Sequence, residues 1–337
     1  MLINRFIERG CKFLGVQYPI ICGAMTWVSE PQLVAAVSDA GGFGCLAGGN
    51  APTEILEQQI EETQKLSDKP FGVNLITIAP AYQDHIALVE KKKLSHVIFA
   101  GSFPRKIEVE RVKATGAKVL CFASTLSIAK RMLRYGADAI ILEGMEAGGH
   151  VGHVSLTVLL QQVLFHLERV PVFVAGGIAT GKMMAHMLLM GAAGVQMGTA
   201  FVMAKECRAH ENFKRNFKRA NARDAVSTPQ FDSRLPVVAV RALRNKAMDE
   251  FKQLQLNLLG KLDRGTIHRS AAQEEVERFW MGALRKAVVD GDVEYGSLMA
   301  GQSVGLAGEI RPVKEIIEEL MKEANDELQA SKKKLTD

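Results

Sequence analysis

The chain has 337 residues, 47% hydrophobic and 23% charged, proportions of an ordinary globular protein that exclude a disordered or fibrous one. Its formal charge of +5 is thinly spread apart from Lys332, Lys333 and Lys334, which argues against a nucleic-acid binder and leaves a mild steering field for anionic ligands. The five cysteines are odd in number and include no C-x-x-C pair, so neither a disulfide framework nor a zinc or iron–sulfur site is expected.

The opening residues Met1 to Phe6 lack the apolar core of a signal peptide, and no later apolar run approaches the roughly 18 residues of a membrane span. A cytoplasmic protein with no membrane or metal partner is expected. The first two hundred residues repeat one theme, a short apolar run followed by glycine or a small polar residue and then a stretch of helical period. The runs at 19–22, 42–46, 71–75, 97–100, 118–121, 139–142, 172–175 and 194–197 are eight predicted strands. Their continuous apolar character implies burial on both faces, as in a parallel sheet. Helical period is found at 31–39, 53–66, 127–135, 156–167 and 182–190. Eight βα units predict an α/β fold, a (β/α)8 TIM barrel, with a doubly wound open sheet as the alternative.

After Met203 the rhythm stops. From Lys205 to about Arg285 the chain is rich in Lys, Arg and Gln and is expected to hold two to four helices, without strands, packed over one mouth of the barrel. The predicted division is therefore a barrel from 1–204 and 291–337, with a helical insertion subdomain at 205–290. The segment 291–306 leads back to the barrel, and 312–330 reads as a final amphipathic helix.

Barrel active sites form at the carboxyl ends of the strands, and here those ends are rich in glycine: Gly23 after the first strand, Gly144, Gly148 and Gly149 after the sixth, Gly176 and Gly177 after the seventh, Gly198 after the eighth. A phosphate needs several backbone N–H donors at close range, so the last two ends, with Thr199 and a helix beginning near Ile178 to Gly181, read as a phosphate site. They could also be no more than tight βα turns. His150, following two glycines, is placed to act as a general acid or base or to donate a hydrogen bond to a carbonyl or nitro oxygen. His153 could pair with it on a metal but lacks a third ligand, and lines the cleft rim instead. Asn74 offers a donor and an acceptor to a heterocycle, or caps the following helix. The turn 48–52 is at most a weak ligand loop, and Cys22 reads as a buried thiol rather than a nucleophile.

Several segments carry a resemblance: YPIICGAMTWVS (18–29), AVSDAGGFGCLAGGNAP (36–52), DKPFGVN (68–74), EGMEAGGHVG (143–152), AGGIATG (175–181), GVQMGT (194–199) and GSLMAGQSVGL (296–306). Over nearly its whole length the chain resembles the nitronate monooxygenase (2-nitropropane dioxygenase) superfamily of FMN barrels, and within it the flavin-dependent enoyl-acyl-carrier-protein reductases of bacterial type II fatty acid synthesis. The resemblance implies that Gly23, Ala24, Met25, Thr26 and Asn74 contact the flavin ring. Gly149, Gly176, Gly177, Gly198 and Thr199 would surround its phosphate, Glu143, Gly148 and Ala175 would complete the cofactor-binding set, and His150 would be the catalytic histidine.

It also implies NADH or NADPH as reductant, an acyl-carrier-protein thioester as substrate and a homodimer. A monovalent cation on backbone groups of 209–211 and 227–234 is a further implication. The GGNAP, EGMEAGGH and GSLMAGQ segments look like the reductases; the alternative is oxidation of alkyl nitronates with dioxygen. Two positions depart from the family pattern, Ala24 for a glycine and Ala200 for an arginine.

Overall fold

The computed structural model describes residues 2–49, 51–235 and 238–336. Eight parallel strands close into a barrel: β1 (Ile20–Cys22), β2 (Phe43–Ala47), β3 (Phe71–Ile76), β4 (His96–Ala100), β5 (Lys118–Phe122), β6 (Ala139–Glu143), β8 (Val172–Ala175) and β9 (Gly194–Met197). A two-residue strand, β7 (Gly149–His150), lies outside the barrel wall. The expected TIM barrel is thus the observed fold, and the open sheet is excluded by the pairing of β1 with β9.

Helices α1 (Asn4–Leu14), α2 (Pro31–Asp39), α3 (Thr53–Leu66), α4 (Tyr82–Lys92), α5 (Lys106–Ala114), α6 (Leu126–Tyr135), α7 (Leu156–Gln162), α8 (Gly181–Leu189) and α9 (Thr199–Val202) accompany the strands. Local chemistry sets several of their ends. Pro31 opens α2 at the first helical position, where its missing N–H costs nothing. Thr125 caps α6 by accepting from Ile128 N, and Gly136 ends it in the left-handed region.

Strand alternation sorts the core into two layers. Ile21, Phe43, Cys45, Ile98, Leu120, Ile141, Phe173 and Ala175 point into the barrel and form its inner cluster, while Ile20, Val73, Val97, Val119, Ile140, Val174 and Val195 face the helices. By the same alternation Asn74, Glu143 and Gln196 point inward. Helix α1 closes the floor, with Leu14 in the inner cluster and Phe13 5.9 Å from Phe173.

Beyond the eighth barrel strand come α10 (Glu211–Arg219), α11 (Lys246–Asp263), α12 (Arg269–Val288) and the closing α13 (Val313–Thr336). The expectation of a stretch without strands is corrected: β10 (Ala225–Ser227) and β11 (Val240–Leu243) form an antiparallel pair there, and β11 also pairs with β7. Arg241 interrupts the apolar run 238–243 in sequence and disguises it. Its buried guanidinium donates to Met145 O at 2.9 Å and Ala225 O at 2.6 Å, so the charge is spent on backbone carbonyls inside the sheet.

The insertion also divides. Phe213 and Phe217 of α10 belong to the barrel's outer core. β11, α11 and α12 make a separate cluster around Phe251 and Trp280, whose rings lie 4.3 Å apart.

Candidate active site

The inward row formed by Glu143, Ala175 and Gln196 runs in register across β6, β8 and β9. Ala175, the small member between the two longer polar side chains, directly precedes Gly176 and Gly177. Asn74 stands on the third strand and is almost fully buried. Helix α4 starts only at Tyr82 with Ala81 before it, so Asn74 is not a helix cap. None of these three side chains has a hydrogen-bond or ion-pair partner among the described residues. For Glu143 the consequence is electrostatic: desolvation inside the barrel, with no compensating cation, pushes its carboxyl up to about 8. Gln196 was not singled out in the sequence, although a glutamine in the otherwise apolar run Gly194–Met197 is a signal of the same kind as Asn74.

Above that row the chain makes a cradle. Gly176 has φ +97° and Gly177 φ +73°, conformations that L side chains rarely adopt. A Cβ on Gly176 would sit 2.8 Å from Gly144 O. The N–H groups of Gly176, Gly177, Gly198 and Thr199 donate to no protein acceptor among the described residues, whereas most backbone donors in the interior are paired. Four orphaned donors at two neighbouring strand ends fit a phosphate.

The neighbouring helix does not supply the rest. The first turn of α8 is satisfied by the chain itself, with Gly181 N donating to Glu323 Oε2 at 2.7 Å and Met183 N to the Thr180 hydroxyl at 3.2 Å. Gly181 has a packing role, since an added Cβ would run into Leu320 O of α13. The donors are therefore those of the two strand-end turns, not of the start of α8.

The loop after β1 is fastened by Ser29, which donates to Gly23 O at 2.8 Å and accepts from Met25 N at 3.0 Å. Ala24 packs its methyl against the inner cluster. Met25 Sδ lies 3.2 Å from where a Cβ of Gly198 would be, so the first and last strand ends meet. Thr26 is half-buried. Next to it Trp27 holds φ +65° and is 38% exposed; a bulky aromatic in that region is strained and marks the loop. Ala200, where arginine is usual, is buried in the core, and a guanidinium there would need a different neighbourhood.

Segment 299–302 closes the far side. Gly301 N donates to the Thr199 hydroxyl at 3.1 Å and Gln302 N to Glu146 O at 2.9 Å, while a Cβ on Gly148 would meet the Ala300 carbonyl carbon at 2.6 Å. Glu146 in turn accepts from Leu156 N at the start of α7. Gly149 has φ +77°, and the chain then turns up into β7.

His150 is held by backbone pairing with Val240, its side chain 44% exposed and its Nε2 3.6 Å from Glu277 Oε2 of α12. His153 is exposed, and among the described residues no three His, Cys, Asp or Glu side chains are grouped to hold a metal ion. Cys22 is buried and its thiol is pushed well up by desolvation, the state of an inert core thiol.

Near 209–211, His210 accepts from Asn212 N and the buried cation is the Lys214 ammonium, 2.6 Å from both Ala204 O and Cys207 O. Of the turn 48–52, Asn50 lies outside the described residues; Gly48 N donates to Asn74 O at 3.0 Å. No helix among the described residues is long and apolar enough to cross a membrane.

The family described as nitronate monooxygenase matches residues 8–93 and 77–323. A dehydrogenase from Rhodococcus jostii, (3aS,4S,5R,7aS)-5-hydroxy-7a-methyl-1-oxo-octahydro-1H-indene-4-carboxyl-CoA dehydrogenase, is 31% identical over 93% of this chain and 94% of its own. Among solved structures, FabK from Thermotoga maritima is 36% identical with a TM-score of 0.85, covering 96% of this chain and 98% of that one. A nitroalkane oxidase from Streptomyces ansochromogenes is 27% identical with a TM-score of 0.78, covering 94% and 98%. The chain belongs to the nitronate monooxygenase family and is a flavin-dependent oxidoreductase.

Proposed function

We propose that this protein is an FMN-dependent reductase of trans-2-enoyl thioesters carried on an acyl-carrier protein, with NAD(P)H as reductant. The observation that carries the reading is an apolar rim on the side of the mouth away from the insertion. Ile78 after β3 is 50% exposed and Phe103 after β4 is 39% exposed. Their loops are joined by Ser102 N donating to the Thr77 hydroxyl at 2.8 Å. Exposed apolar residues grouped at a site entrance suit an acyl chain, which a small alkyl nitronate lacks. The likeness to FabK and to a dehydrogenase of a CoA thioester supports the same substrate class.

FMN, when bound, supplies hydride transfer between the nicotinamide and the alkene. The chain's own residues do the remaining work. The N–H groups of Gly176, Gly177, Gly198 and Thr199 would hold the phosphate, and Gly23, Ala24, Met25, Thr26 and Asn74 the ring, with Glu143 and Gln196 between them. His150 would donate a hydrogen bond to the thioester carbonyl, so that negative charge developing on that oxygen is stabilised as the β-carbon is reduced. The reduction is completed by a proton at the α-carbon.

Anaerobic spectroscopy of the yellow protein tests the reading. Bleaching by NADH or NADPH, followed by reoxidation with crotonyl or longer enoyl thioesters, is the expected result. Bleaching by alkyl nitronates alone, with no response to enoyl thioesters, would overturn it in favour of nitronate oxidation.

A further inference from the structure

We infer that Glu277, on the insertion helix α12, is the positioning residue for the imidazole of His150; this rests on the reading of His150 as the catalytic histidine. The Nε2–Oε2 separation of 3.6 Å is inside ion-pair range and slightly longer than a hydrogen bond. A small side-chain adjustment closes it. Among the described residues the His150 ring has no other ion-pair or hydrogen-bond partner, so this carboxylate alone distinguishes its two nitrogens.

Both members are held by rigid parts of the same subassembly. The His150 backbone is paired to Val240 of β11. On α12, Val276 and Trp280 flank Glu277, are almost fully buried, and belong to the cluster that also contains Val240. Trp280 sits one turn along from Glu277 and packs between Phe251 at 4.3 Å and Phe279 at 5.2 Å. One small core thus fixes the strand that carries the histidine and the helix that carries the carboxylate. The Glu277 side chain is only 29% exposed, so the pair is screened less than a pair on open surface.

The chemical role follows from the two ring nitrogens. A carboxylate facing Nε2 accepts a hydrogen bond from that nitrogen and fixes the ring plane; in the imidazolium form, where both nitrogens carry protons, Nδ1–H is left to donate to the thioester carbonyl. A carboxylate behind a histidine acts this way in many hydrolytic sites, by orienting the ring and stabilising the imidazolium without taking the proton itself. In this fold the carboxylate comes from the insertion rather than from the barrel.

The test is a double-mutant cycle on the FMN-loaded enzyme with His150→Ala, Glu277→Gln and both together, assayed with crotonyl thioester and with an alkyl nitronate. Expected for Glu277→Gln is a fall in kcat of about 5- to 30-fold with KM changed less than about twofold, part of the loss being restored in Glu277→Asp. In the His150→Ala background the same change should cost less than about twofold. An equal kcat loss in both backgrounds, or a change confined to KM, would overturn the role of Glu277.

If His150→Ala itself leaves turnover intact with both substrates, the reading of His150 fails, and the pairing is then judged by ring-nitrogen NMR of histidine-labelled protein. Glu277→Gln should shift the His150 nitrogen signals and no other histidine's. Unshifted signals would refute the pairing.

Discussion

At the floor of the barrel His96 lies 4.9 Å from the ring of Phe43 and 5.7 Å from that of Phe13, and both of its nitrogens have partners, Ser95 Oγ at 3.0 Å and Phe13 O at 3.1 Å. At the mouth, Asn74 is similarly buried and Glu143 and Gln196 are half-buried, and none of the three side chains has a partner among the described residues. A buried polar group without a partner costs stability, so the floor is built for folding and the mouth to be completed by a ligand. The same barrel wall serves both ends, and only the residues terminating the strands differ.

Glycines break the comparison most sharply. At the mouth, Gly176→Ala would force a Cβ against Gly144 O in a backbone region closed to most side chains. Flavin affinity is expected to fall by at least about 100-fold, read as flavin retained on gel filtration and by fluorescence titration. The counterpart below is Gly116, before β5, with φ +90° and nothing within 4 Å of an added Cβ. Gly116→Ala should cost only about 1 kcal/mol of backbone strain and leave flavin binding untouched. Equal flavin loss in both variants would mean that the cradle has no special role.

The two ends should also respond to pH in opposite senses. Burial lowers His96 from its ordinary 6.5 to about 4, so the unfolded chain takes up the proton first. Stability at the floor is present above pH 6.5 and lost as pH falls toward 4, a loss on the order of 3 kcal/mol. Glu143 is raised from 4.5 to about 8, so the folded chain holds its proton longer. That contribution is complete below pH 4.5 and lost as pH rises through 8. Urea denaturation across the pH range should therefore show His96→Gln flattening the acid limb and Glu143→Gln the alkaline limb. If either variant flattens the other limb, the assignment of that limb is wrong.

A smaller effect is expected at the rim. Phe103→Ala should raise KM for a long enoyl thioester about 5- to 10-fold while leaving KM for crotonyl thioester within about twofold. Parallel changes for both chain lengths would remove the rim from the substrate path.

The barrel was legible because its signals are local. Apolar runs ended by glycine, each followed by a helical period, require no knowledge of tertiary contacts, and all eight strands agree to within a residue or two with the structure. The insertion was legible only as helices. β11 contains Arg241, whose charge reads as surface until Met145 O and Ala225 O are seen beside it. β7 is two residues long and exists only through its partner.

The candidate site was half legible for the same reason. Glycines and His150 announce themselves at strand ends, whereas Gln196 needs the inward face of the last strand to be known. Glu277 lies 127 positions from His150 in the chain and no spacing rule connects them. Gly181 is the converse case, grouped with the phosphate loop by its motif yet used to seat α8 on α13.

The pairing of β7 with β11 has a consequence for how such barrels diverge. Because the insertion contributes the strand beside His150, the histidine loop and the insertion form one unit of exchange. A chimera that takes the insertion from a relative and keeps this histidine loop would have to rebuild a sheet across the graft, whereas one that moves 143–152 together with 225–288 carries the pairing intact. Change of substrate within this architecture is then expected to travel by the pair of segments, with the barrel wall left as it was.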